Sequence, residues 1–189
     1  MRFRIAIVAS FLCSCAWATP AANAPAAETA ESPHQPAMWA PVQLKFTYRQ
    51  VTTTTYTCSG LQARVKGLLL KLGARPDLHL RSYGCTKLSG PDPFAGVQIR
   101  MNVLEPDGTQ PAVPAHWKRV DLLEDRTLLD AAADCELIQQ VEQQIVPVFA
   151  ARNVDFNATC QPRNVVPGST RLRADVLITD QPPPGPATR

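Results

Sequence analysis

The chain is short of the side chains that carry most chemistry. Its 189 residues include three histidines, and aromatic residues make up 6%. No Gly-x-Ser-x-Gly, no His-Glu-x-x-His and no phosphate-cradling glycine loop occurs, so the common nucleophile, metalloprotease and nucleotide frameworks are excluded. Neither sign of charge dominates. The formal net charge is +3, and it falls to +1 without Arg2 and Arg4, so global charge argues for neither nucleic acid nor a membrane surface. The cysteines form no Cys-x-x-Cys pair, which removes the usual zinc and thioredoxin-type spacings. The longest uncharged apolar run, Ile5 to Ala18, falls short of the roughly 20 residues that a membrane-spanning helix needs.

That run has another use. Arg2 and Arg4 precede it, and Ala16-Trp17-Ala18 places small residues where a signal peptidase cuts, so residues 1–18 read as a secretion signal. Leu12-Cys13-Ser14-Cys15 loosely resembles the lipobox of bacterial lipoproteins. A lipid on Cys15 would be the one route to a membrane. Residues 19–41 are rich in alanine and proline and read as a disordered tether, as does the Pro-rich tail 181–189. Between them, 42–180 has the length of one domain. The expected address is exported, either periplasmic or secreted.

Cys58, Cys85, Cys135 and Cys160 remain after the signal. An even count in an exported chain implies disulfides. The pairing follows from a pattern that occurs twice. Leu61, Val65, Leu68, Leu69 and Leu72 define one helical face beginning at Cys58, and Gly73 suits the left-handed cap. Leu78, Leu80 and Ser82 then alternate with His79, Arg81 and Tyr83 before Cys85. A further strand sets Val97, Ile99, Met101 and Val103 on one face. In the second half Cys135 opens a helix with Leu137, Ile138, Val141 and Ile145 inward, Pro147 should end or kink it, and Asn153 is a candidate cap. Val154, Phe156 and Ala158 lead to Cys160, and Leu172, Ala174, Val176 and Ile178 close the pattern. A helix of about 16 residues rises about 24 Å, and a strand of about 8 residues returns about 26 Å. The geometry therefore favours Cys58–Cys85 and Cys135–Cys160.

A strand over Val42–Tyr48 precedes the first helix, and a weaker one with Trp117, Val120 and Leu122 precedes the second. The expected fold is α+β. It has two β-α-β-β pseudo-repeats (about 42–105 and 117–180), a mainly antiparallel sheet with both helices on one face, ferredoxin-like in spirit, and two disulfides.

The sheet face away from the helices should carry Lys45, Arg49, His79, Arg81, Tyr83, Arg100, Arg171 and Arg173. Such a face suits an anionic envelope polymer or an acidic protein. Nucleic-acid sheets stack bases on several aromatics, and Tyr83 stands nearly alone. A second candidate is His116-Trp117, at the end of the long proline-containing loop 105–116. The loops 86–96 and 161–169 should share one end of the domain with the disulfides. No catalytic residue, cofactor or metal is expected. The first functional expectation is an exported, non-catalytic binding or assembly module; the alternatives are an envelope hydrolase built around His116 and a structural lipoprotein.

Overall fold

In the computed structural model the described residues are 33–50, 54–85, 94–106, 112–124, 128–131, 133–160 and 170–181. The signal 1–18, the tether up to residue 32, residues 182–189 of the tail, and most of the three loops named above lie outside them. Among the described residues no helix is long and apolar enough to cross a membrane.

The first strand, β1, is Gln35–Thr47, so the tether ends sooner than its prolines suggest. Proline lacks an N–H and fits a strand only where no ladder bond is needed. Residues 35–37 pair with β4 (Val113–Asp121) and residues 38–47 with β3 (Gly96–Glu105). Each stretch of β1 thus has one edge outside that pairing, and Pro36 and Pro41 are tolerated there. Pro36 stands opposite Pro114. Both halves begin earlier than the alternation implied, for the same reason.

Helix α1, Cys58–Lys71, follows β1. Thr57 caps it by accepting the Gly60 N–H through its hydroxyl at 3.0 Å. Gly73 ends the turn at φ 93°, and a Cβ there would lie 3.0 Å from the Leu177 carbonyl oxygen, so glycine is required twice over. Strand β2, His79–Tyr83, then pairs with β3. In the second half, β4 precedes α2, Cys135–Gln144. Pro147 falls in a 3-10 turn, Val146–Val148, so the helix stops just before it as expected. Strands β5, Ala151–Asn157, and β6, Arg171–Ile178, complete the sheet. Asn153 is not a helix cap. It sits at a register shift within β5 at φ 51°, and this bulge leaves Val154 exposed rather than inward.

The architecture is α+β, with six antiparallel strands in the order β2-β3-β1-β4-β6-β5. The element order β-α-β-β occurs twice. A ferredoxin-like unit is β-α-β-β-α-β, and the six-strand order here differs from it. Leu61, Val65, Leu68 and Leu69 of α1 and Leu137, Ile138 and Val141 of α2 join one core with Val97, Ile99, Leu172, Ala174 and Val176. Both helices therefore cover the same sheet face. Disulfides join Cys58 to Cys85 (Cα–Cα 6.2 Å) and Cys135 to Cys160 (5.6 Å), each tying a helix start to the end of the returning strand.

The other face is not uniformly polar. At the β1–β4 seam Ala37, Leu104, Ala115 and Leu177 form a second buried cluster, edged by Trp39 and Trp117. Arg75 stands 5.9 Å from the Trp39 ring centre and Arg152 stands 4.2 Å from that of Trp117. Ala37 and Trp39 of β1 have counterparts in Ala115 and Trp117 of β4, and Leu104 of β3 has one in Leu177 of β6; Arg152 lies in β5, but Arg75 precedes β2.

Candidate cationic face

Cross-strand partners share a sheet face. The register places Lys45, Gln98 and Arg81 in one row across β1, β3 and β2, and Gln43, Arg100 and His79 in the next. Their neighbours Val97, Ile99 and Leu44 point to the core, so both rows lie on the helix-free face. Lys45, Arg81, Arg100, Gln43 and His79 are all exposed. No ion pair among the described residues engages Lys45, Arg81 or Arg100. A shallow polar recess of about 200 Å³ lies between the rows, lined by His79, Leu80, Arg81, Gln98 and Arg100.

The matching face of the second half has a different charge balance. Arg171 Nε meets Asp155 Oδ2 at 2.7 Å, and Arg173 Nε meets Asp121 Oδ2 at 2.7 Å. Arg119 lies 3.1 Å and Arg152 lies 3.8 Å from the Asp175 carboxylate. The Asn153 side-chain amide first, and then the Arg119 guanidinium, hold the Asp175 carboxyl below its ordinary range against the opposing effect of burial. For Asp121 burial acts upward, but the Arg173 hydrogen bond, the Leu123 N–H and nearby positive charge together bring it down.

A carboxyl lowered by folding stabilises the fold above its unfolded value of about 3.9, and loses that contribution as pH falls through the folded value. Arg119, Arg152 and Arg173 should therefore be released only as pH falls through those lowered values, below the ordinary carboxylate value of about 3.9. A sulfated polymer, which keeps its charge there, is expected to be retained more strongly at about pH 2 than at about pH 6; a column retention series checks it, provided circular dichroism shows the fold intact.

The ten residues singled out from sequence are thus not all brought together. Lys45, Arg81 and Arg100 are brought together as a group without ion-pair partners among the described residues. Arg171 and Arg173 lie on the same face but are neutralised. Arg49 lies beyond the end of β1, where the Gln140 side-chain amide binds its backbone N–H at 2.7 Å and its carbonyl at 2.8 Å. Tyr83 is engaged structurally. Its hydroxyl is 2.5 Å from Thr47 Oγ1, and its ring covers Gly96, where a Cβ would come within 2.4 Å of it.

His116 and Trp117 do not form one loop site either. Both belong to β4, and successive strand residues face opposite ways. Trp117 lies under Arg152 beside a cleft of about 500 Å³ that also touches Glu105, Pro147 and Ala151. His116 turns to the other side and is 9% exposed. Sequence reasoning missed the second apolar cluster, because β1 was started after its proline-containing half. The signal that would have found it is the recurrence of tryptophan, Trp39 and Trp117, at the same place in both halves.

Compared with protein-family models, with curated proteins and with solved structures, the chain finds no match in any of the three.

Proposed function

We propose that this is an exported, non-catalytic binding module that engages a polyanionic polymer of the cell envelope through the first-half sheet face. The observation that carries the reading is the contrast between the two halves. Lys45, Arg81 and Arg100 have no ion-pair partner among the described residues, whereas each cation of the second-half face is paired with an aspartate. Interspersed Gln43 and Gln98 add neutral hydrogen-bond donors to the same surface. A protein interface usually has a desolvated aromatic or aliphatic anchor at its centre. The two rows contain none, which favours a flexible chain of repeated charges over an acidic protein. The signal-like leader and the two disulfides support export. The matching Trp39–Arg75 and Trp117–Arg152 pairs support reading the halves as copies of one unit.

The test is retention on dextran sulfate, with neutral dextran as the blank. Reversing Lys45, Arg81 and Arg100 to glutamate should weaken binding roughly 100-fold, from three exposed charge contacts of about 1 kcal/mol each. Binding should also fall with salt, because exposed charges are screened beyond about 10 Å at 0.1 M. Arg171→Gln with Arg173→Gln should leave it nearly unchanged. Unchanged binding in the triple variant sinks the proposal. Capture of polyglutamate but not dextran sulfate would move it to an acidic protein partner.

A further inference from the structure

We infer that His34, His116 and Asp180 form a binding site for a divalent transition metal of the zinc class. One ligand atom from each of these three side chains lies within 4.8 Å of the others. They come from three separate chain segments that the sheet pins together. The β1–β4 register pairs Gln35 with Ala115, and its next step sets His34 across from His116. On the other side His116 pairs with Ile178, and Asp180 follows two residues later. The Thr179 hydroxyl donates to the Pro114 carbonyl at 2.8 Å and holds that exit against β4.

A second observation points to a ligand. His116 is 9% exposed, and its Nδ1 is buried without a hydrogen-bond partner. The nearest carboxylate oxygen, Asp180 Oδ2, is 3.5 Å away, too far for a good hydrogen bond. A buried polar nitrogen left unmatched is costly, and native proteins seldom keep one without a use. His34 meets His116 edge-on, with ring centres 5.3 Å apart and planes at 66°. That is not a stacked pair, and one nitrogen of each ring lies within 4.8 Å of the other.

The donor set selects the ion. Two imidazoles and one carboxylate suit zinc, cobalt or nickel, whereas calcium and magnesium take oxygen ligands almost exclusively. Zinc–ligand bonds are about 2.0–2.2 Å, so the three atoms must draw closer than 4.8 Å. His34 and Asp180 are exposed and flank strand ends, so they are the two that can move; His116 stays fixed. Three protein ligands leave a fourth position for water or for an anionic group of a ligand. No sequence spacing announced the site, because its members are 82 and 64 residues apart along the chain and meet only through sheet pairing.

The full, untagged chain, stripped with a chelator, is titrated with zinc chloride by calorimetry and with cobalt chloride by visible absorption. The expected result is one ion per chain, a d–d absorption typical of low-coordinate cobalt, and a rise in Tm on adding zinc. His116 is buried, so its removal alone could act through folding. His34→Ala and Asp180→Asn change exposed residues and should each weaken zinc binding at least tenfold and abolish the Tm rise. His79→Ala, which removes the third histidine, should leave binding unchanged. Absence of stoichiometric binding, or equal binding in His34→Ala and Asp180→Asn, overturns the site.

Discussion

Asp134→Ala is expected to destabilise the fold by about 2–4 kcal/mol, the cost of losing buried hydrogen bonds to a carboxylate, with little added by the partly exposed ion pair. Asp134 is 1% exposed at the start of α2. It receives Arg64 Nη1 from α1 at 2.8 Å, the Asp130 backbone N–H at 2.7 Å and the Tyr56 hydroxyl. Removing the carboxylate strands the Tyr56 phenol inside the protein and takes the acceptor from the part-buried Asp130 amide. Burial first, and then the Asp134 hydrogen bond and charge, push the Tyr56 phenol far above its ordinary value, so it stays protonated as a donor. Arg64 retains the Leu128 carbonyl at 2.5 Å and reaches solvent, so it suffers less. Arg64→Ala leaves the aspartate buried with two donors and should cost less than Asp134→Ala. The double variant should cost clearly less than the sum, because both changes remove one interaction. Urea unfolding of the four proteins measures the cycle, and a cost under about 1 kcal/mol for Asp134→Ala would show that the network does not hold the helices together.

Loss of the disulfides should be comparably large. Cys135–Cys160 spans 25 residues and Cys58–Cys85 spans 27. Loops of this size are worth about 3.5 kcal/mol each in the chain-entropy treatment. Together they approach the whole stability of a typical domain, about 5–15 kcal/mol. In a reducing buffer the protein is therefore expected to lose most of its near-ultraviolet circular dichroism at 37 °C, and a Tm unchanged by reductant would refute this. The two bonds should not open together. Cys135 is fully buried, whereas Cys85 is exposed, so reductant reaches Cys58–Cys85 first. Mass spectrometry after timed alkylation orders them. Such dependence would suit an oxidising compartment, which is what the expectation of a secretion signal over 1–18 implies.

Much of the fold was legible from local periodicity. The face Leu61–Val65–Leu68–Leu69 and the alternation Val97–Ile99–Met101–Val103 each state an element and its buried side without reference to the rest of the chain. The errors share a physical cause as well. The alanine- and proline-rich composition of 19–41 points to a tether, yet Pro36 and Pro41 lie in β1, because a strand accepts proline wherever the missing N–H would have met no partner, and pairing alone reveals where that is. Asn153, a candidate cap in the sequence, instead adopts its left-handed backbone inside a strand bulge.

The sequence by itself determined the helices, most strands, their inward faces and both disulfide pairings, because each depends on spacings within about 30 residues that secondary-structure geometry converts directly into distance. It also determined which residues are basic. Only the tertiary structure decided which of them find a counter-charge among the described residues. Asp121, Asp155 and Asp175 neutralise one half of the face through pairings of β4, β5 and β6, while β1, β2 and β3 bring no acid to the other. The meeting of His34, His116 and Asp180 is of the same kind. A site assembled across strands depends on register, and register is set by the packing of the whole sheet rather than by any one segment.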